Sequence, residues 1–217
     1  MYRTYVTIKI CGFTRPQDVD LAVRAGADAI GLVLVDDGSP CRVDVGRARE
    51  LLAAAGDAET VAVLGPATPA GLEAVAPLGF DVLQVVVEPG VEGGSLLGHG
   101  AAGLLPVFFD HGEVEAAVAG WVAGHSLPPV RRGSVVGTVN LDGALGGGQG
   151  LRADWTRAAK LARRWPLTLS GGLNLENVAA ALERVRPHAV DVTSGTEASP
   201  GVKDPVRLRD FIEAVRA

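Results

Sequence analysis

The feature that most restricts this chain is an eightfold alternation. Short apolar, β-branched runs recur along it, and stretches with the helical spacing of Ala, Leu and Arg separate them. The runs predicted as strands are Thr4–Ile10, Ala29–Leu34, Thr60–Leu64, Val82–Val87, Leu104–Phe109, Val135–Leu141, Leu167–Ser170 and Ala189–Thr193. The predicted helices are Pro16–Ala25, Val45–Ala55, Pro69–Leu78, Glu113–Val122, Asp154–Arg164, Leu175–Val185 and Pro205–Val215. Glu92–His99 is rich in glycine, so a helix there is expected to be short or irregular. A strand followed by a helix and another strand calls for a parallel sheet with right-handed crossovers. An open, doubly wound sheet satisfies the same pattern. Eight near-equal units with no inserted domain favour closure into a (β/α)₈ barrel.

Size agrees with that expectation. The chain has 217 residues, and one α/β barrel typically takes ~200–250. Residues 1–217 are expected to form a single barrel domain. Hydrophobic residues make up 47% and charged residues 21%, which places the chain among globular proteins able to bury a full core. The net charge is -5, with no basic block, so nucleic acid is not expected as a partner. No apolar stretch reaches membrane-spanning length, and Met1–Ile10 carries Arg3 and Lys9, unlike a signal peptide. A cytoplasmic location is expected. Two cysteines do not make a disulfide framework, and His99, His111, His125 and His188 lack ligand spacing, so no metal is expected.

In such a barrel the chemistry sits at the C-terminal ends of the strands. The residues there are Cys11, Asp36, Asp37, Gln84, Asp110, Asp142, Ser170-Gly171-Gly172, Asp191 and Thr193-Ser194-Gly195. Small residues after both the seventh and the eighth strand let backbone N–H groups approach an anion closely. Gly171, Gly172, Ser194 and Gly195 are therefore the candidate phosphate site, although glycines in such loops also serve simply to make tight turns. Cys11 and Asp142 end strands one and six, on opposite sides of a closed mouth. That placement suits one group that delivers a proton and another that removes one. A buried cysteine is more often a small hydrophobe, and an aspartate before glycine is often a turn residue. Gly143–Gly150, between a strand and a helix, has the composition of an active-site loop.

These residues match a known family. The chain resembles the phosphoribosylanthranilate isomerases of tryptophan biosynthesis. The resemblance rests on Lys9-Ile10-Cys11-Gly12, Thr14, Asp18 and Ala25-Gly26-Ala27-Asp28-Ala29-Ile30-Gly31 at the start. At the end it rests on Ser170-Gly171-Gly172-Leu173-Asn174, Glu176-Asn177-Val178, Asp191-Val192-Thr193-Ser194-Gly195-Thr196-Glu197 and Pro200-Gly201-Val202-Lys203-Asp204-Pro205. It implies an Amadori rearrangement of an aminoaldose phosphate, with Asp142 as general acid on the furanose ring oxygen and Cys11 as general base at C2′. It further implies that Asp191 binds the sugar or amine portion of the substrate, and that no metal or organic cofactor is needed. The expected partner is a phosphorylated small molecule, and the expected state a monomer or homodimer.

The middle of the chain departs from the family. The family carries Ser-x-Arg after strand two, where the arginine meets the anthranilate carboxylate. Here the run is Ser39-Pro40-Cys41-Arg42-Val43, so Cys41 occupies the arginine position and Arg42 reaches the substrate only if the loop shifts by one residue. Gln84 is followed by Val85-Val86-Val87 in place of Leu-His-Gly, and the loop after strand six keeps Gly146-Gly147-Gly148-Gln149-Gly150 but has lost the usual Ser or Thr. Alternatives are therefore a paralogous barrel enzyme acting on a different phosphorylated substrate in specialised metabolism, and a non-catalytic barrel that binds a phosphorylated ligand.

Overall fold

The computed structural model describes residues 5–35, 38–66, 68–87, 103–143 and 152–217. Eight parallel strands close into a barrel in chain order, with β1 hydrogen-bonded to both β2 and β8. They are β1 Thr7–Cys11, β2 Ala29–Val33, β3 Glu59–Pro66, β4 Val82–Val86, β5 Gly103–Phe109, β6 Val139–Asp142, β7 Leu167–Leu169 and β8 Ala189–Val192. The helices are α1 Pro16–Ala25, α2 Val45–Ala53, α3 Pro69–Val75, α4 Val114–Gly124, α5 Trp155–Ala162, α6 Val178–Val185 and α7 Pro205–Arg216. A short antiparallel ribbon of β9 Glu197–Ser199 and β10 Val202–Lys203 lies between β8 and α7. The expected closure into a (β/α)₈ barrel is what the structure has.

Alternation along each strand sorts the side chains between two faces. Ile8, Ile10, Ile30, Leu32, Ala62, Leu83, Leu141, Leu169, Val190 and Val192 join the main core under the helices. The opposite parity points inward. Ala29, Val61, Val82, Leu105, Val135 and Ala189 pack together as an apolar cluster inside the barrel. Polar groups occupy other inward positions. The Thr138 and Thr168 hydroxyls meet at 2.6 Å, the Ser170 hydroxyl donates to Asn140, and Lys9, Gln84 and Asp191 are buried. A layered, side-chain-filled interior is the normal state of such barrels.

Helix starts follow local chemistry. Asp44, Thr68, Asp154 and Asp204 each accept backbone N–H bonds at their own helix N-terminus, and prolines open α1, α3 and α7. Most boundaries shift a little from expectation, and three of the larger shifts have a visible local cause. The run Val135–Leu141 begins its strand only at Val139. Gly137 has φ +86, a Cβ there would stand 2.3 Å from Pro128 O, and the Thr138 hydroxyl bonds back to Val135 O. α6 starts at Val178, because the Asn177 amide bridges Asn174 N–H and Gly172 O and holds the preceding residues as a turn. α3 stops at Val75 and tightens into a 3-10 turn over Ala76–Leu78, which contains Pro77. The Glu92–His99 expectation lies outside the described residues.

At the N-terminal end of the barrel, Asp28 latches three elements. Its carboxylate accepts from Ile8 N at 2.7 Å, from Arg216 Nη2 at 2.7 Å and from the Tyr5 hydroxyl. Arg216 also donates to Val6 O at 2.6 Å, tying α7 to the start of β1. Removing the carboxylate leaves a strand N–H without its acceptor and Arg216 without its ion-pair partner. Asp28→Ala should therefore lower unfolding stability by about 2–3 kcal/mol in urea titrations, and an unchanged midpoint would show that the latch carries no stability.

Candidate active site

The two candidate proton-transfer groups sit at the ends of inward-facing positions. Cys11 is the last residue of β1 and is buried, and Asp142 is the last residue of β6 and is partly exposed at the rim. Asp191 lies on β8 in register with Lys9, and both are buried inside the barrel. Lys9 Nζ and Asp191 Oδ2 are 2.6 Å apart. The parallel strands put Cys11, Asp142, Asp191 and the Gly171-Gly172 turn at one end of the barrel.

Burial governs the titration of this group. It raises the Asp142 carboxyl to about 6, and the nearby Asp191 charge adds to the rise, while the Gly143 N–H at 2.7 Å and Lys9 oppose it. Burial also pushes the Cys11 thiol above its ordinary value, against the pull of Lys9. For Lys9 burial disfavours the charge, but Asp191 and Cys11 outweigh it and hold the ammonium above its usual range. A carboxyl poised near 6 can hold and release a proton close to neutral pH, which is what a general acid requires.

The mouth is divided. On the β2 side Cys11 packs with Val33 and Cys41, flanked by Val35 and Val63. On the β6, β7 and β8 side stand Asp142, Asn140, Ser170 and Asp191. Cys41 faces inward, where its thiol donates to Glu197 at 3.4 Å, and burial followed by the Glu197 charge raises it to about 11. Arg42 is exposed, with Cys41 and Val43 buried on either side of it. A bridge from Val33 to Arg42 fixes this register, so the shift that would turn Arg42 inward is not seen. Gln84 is buried on β4, and among the described residues its Oε1 has no hydrogen-bond partner. Asp36, Asp37 and the Gly-rich run 146–150 lie outside the described residues.

The loops after β7 and β8 meet around a cavity of about 390 Å³ lined by Gly172, Leu173, Asn174, Ser194, Gly195 and Arg207. Gly171 and Gly172 both adopt left-handed backbone, φ +85 and +64. Gly195 has a different role from the one its smallness suggests. A Cβ there would stand 2.1 Å from Leu173 O and 2.9 Å from Asn174 Cα, so the glycine lets the two loops touch. Ser170 directs its hydroxyl at Leu141 O and Asn140, toward strand β6. Arg207, which the sequence patterns did not single out, reaches the cavity from the first turn of α7 and donates to Glu197 O at 2.6 Å. Its one sequence signal is its place just after the Asp204-Pro205 helix start.

Asp110 is a second residue whose role emerges only in three dimensions. Its N–H donates to Asp142 O at 2.8 Å, and its carboxylate accepts from Asp154 N–H and Arg157. It therefore clamps both ends of the loop that follows Asp142. Among the described residues no group of three potential ligand side chains could hold a metal ion, and no helix is long and apolar enough to cross a membrane.

Known proteins share this combination. Residues 119–214 match the family model described as N-(5'phosphoribosyl)anthranilate (PRA) isomerase. The chain is 34% identical to N-(5'-phosphoribosyl)anthranilate isomerase of Methanopyrus kandleri, covering 98% of this chain and 99% of that one. It is 39% identical to the enzyme of the same name from Pseudomonas aeruginosa, covering 98% and 96%. Among solved structures, the phosphoribosyl anthranilate isomerase of Thermotoga maritima superposes with TM-score 0.81 at 28% identity, over 97% of this chain and 98% of that one. The enzyme of Thermus thermophilus superposes with TM-score 0.80 at 30% identity, over 97% and 98%. A closed parallel barrel, its rim residues and full-length relatives at this identity agree, and the chain belongs to the N-(5'-phosphoribosyl)anthranilate isomerase family.

Proposed function

We propose that this protein carries out the Amadori rearrangement of N-(5'-phosphoribosyl)anthranilate, the isomerisation for which its relatives are named, as a step of tryptophan biosynthesis. The observation that carries this is the placement of Cys11 and Asp142 at one mouth, at the ends of β1 and β6, which stand three strands apart around the closed barrel. Asp142, whose carboxyl burial raises to about 6, gives its proton to the furanose ring oxygen from its protonated form. The C1′–O bond breaks, and the nitrogen lone pair forms the iminium. The iminium acidifies C2′–H, and the Cys11 thiolate removes that proton. The resulting enolamine takes a proton at C1′, loses one from its C2′ hydroxyl, and becomes the ketone. Every bond change is either a proton transfer or internal to the substrate, so the sequence consumes no external oxidant or reductant.

The phosphate is assigned to the cavity between the loops after β7 and β8. Its cradle is the left-handed Gly171-Gly172 turn and Ser194-Gly195, with Arg207 alongside. Asp191 Oδ1 is buried and has no hydrogen-bond partner among the described residues, and a substrate hydroxyl or amine would satisfy it. The protein acts on its own or as a homodimer, within one barrel domain and in the cytoplasm.

A second reading is favoured by the outward Arg42 and inward Cys41: the phosphorylated substrate carries an amine less acidic than anthranilate. A carboxylate in a partly dry pocket needs a charged partner, worth ~1.5–3 kcal/mol and hence about tenfold or more in KM. With Arg42 as it stands, Arg42→Ala should change kcat/KM on phosphoribosylanthranilate by less than about threefold, and a tenfold rise in KM would show that Arg42 turns inward on binding.

Turnover of phosphoribosylanthranilate by the purified protein tests the main reading. Cys11→Ser and Asp142→Asn should each lower kcat by at least ~10²-fold while KM moves less, since the phosphate is held elsewhere. Full activity in either variant would remove that residue from the chemistry. The pH profile has a definite sign. Asp142 must be protonated, and that fraction falls as pH rises through about 6. Cys11 must be a thiolate, and that fraction grows with pH up to its raised pKa. Their product is level between the two values and falls about tenfold per pH unit below the lower one. The plot of kcat/KM should therefore bend downward below pH about 6, and Asp142→Glu should move that bend. A bend that stays in place belongs to the substrate's phosphate instead.

A further inference from the structure

Lys9 is fully buried inside the barrel. It stands two residues before Cys11 on β1, so both side chains point the same way. Its ammonium has three donors, and Asp191 Oδ2 takes one at 2.6 Å. Gly31 on β2 lies in register with Cys11. A Cβ there would stand 2.6 Å from Cys11 Sγ and 2.9 Å from Lys9 Nζ. The sulfur and the ammonium are therefore neighbours against the same bare stretch of backbone. Any larger residue at position 31 would take the room that both atoms use.

We propose that Lys9 is a positioning residue: anchored by Asp191 and admitted by Gly31, its ammonium donates to the Cys11 sulfur and holds it as a thiolate when the base is needed. A cysteine in an apolar wall is inert, and a nearby cation in a water-poor site is the usual remedy. The other charged and titratable groups near Cys11 are accounted for. Asp191 from β8 opposes the thiolate, Lys203 from β10 favours it, and the Cys41 thiol adjoins it from the segment after β2. Asp142 from β6 is coupled to the same Lys9 and Asp191. One ammonium thus faces the base and also influences the acid. The importance of this for turnover rests on Cys11 being the base, but the ionisation of the thiol is measured without substrate.

The test uses the full chain in a Cys41→Ser background, so that one thiol remains. Ultraviolet thiolate absorbance is followed against pH in the parent, in Asp191→Asn and in the double variant Lys9→Met with Asp191→Asn. The double variant removes both charges and leaves no unpaired ion behind. Asp191→Asn should titrate at lower pH than the parent, because the opposing anion is gone. The double variant should titrate at least ~1 pH unit above Asp191→Asn, which is about tenfold less thiolate at any pH below both values. Coincident curves for these two variants would overturn the proposal. If heat unfolding shows that the double variant has lost its fold, Gly31→Ala replaces it. That change should raise the thiol's titration point by displacing the ammonium, and an unmoved curve would again overturn the proposal. A thiolate shift as expected together with no turnover of phosphoribosylanthranilate would leave the role of Lys9 standing and remove the isomerase assignment.

Discussion

The structure turns on an ion pair at the seam where the barrel closes. β1 meets β8 with Lys9 opposite Asp191, and their charged ends touch at 2.6 Å inside the barrel. Removing two charges from water costs several kcal/mol per ion, and their attraction often does no more than offset that. An apolar pair of similar size would fill the interior at less expense. The pair makes sense as chemistry: it sets a cation and an anion beneath Cys11 and Asp142, and it leaves Asp191 Oδ1 without a partner among the described residues. Much of the remaining architecture serves to hold this group in place, including the absence of a side chain at Gly31.

Around that pair the rim is assembled by contacts between loops. Gly195 lets the loop after β8 touch the backbone after β7, and Asn177 stitches the β7 loop to itself. Asp110 clamps the residues on both sides of the β6 loop. Lys203 is wholly buried, bonded to Thr193 O at 3.1 Å and to Glu197 at 3.2 Å, and so ties the ribbon beneath the β8 loop. The result is a mouth with an apolar wall on the β2 and β3 side and polar groups on the β6 to β8 side. A substrate with an aromatic ring at one end and a phosphate at the other matches that division.

Much of this was legible in the sequence because strand ends are read from composition. Cys11 and Asp142 close apolar runs, and in a parallel barrel every such end opens on one rim. The glycines after β7 and β8 marked the proposed phosphate loops for the same reason. What could not be read depends on register and on contacts across the chain. Cys41 and Arg42 differ by one position, and only the bridge from Val33 decides which faces in. The late start of β6 follows from Gly137 meeting Pro128 O, a contact that the local sequence does not announce. Arg207 and Asp110 have ordinary sequence surroundings, and their roles come from elements that fold beside them.

The most direct test of the account is a crystal structure of this protein with reduced 1-(o-carboxyphenylamino)-1-deoxyribulose 5-phosphate, the compound bound in a solved phosphoribosyl anthranilate isomerase relative. The account predicts the phosphate between Gly171-Gly172 and Ser194-Gly195. It places C2 of the sugar chain beside Cys11 Sγ, and the oxygen released on ring opening toward Asp142. A phosphate lodged elsewhere, or a sugar chain that touches neither Cys11 nor Asp142, would contradict it.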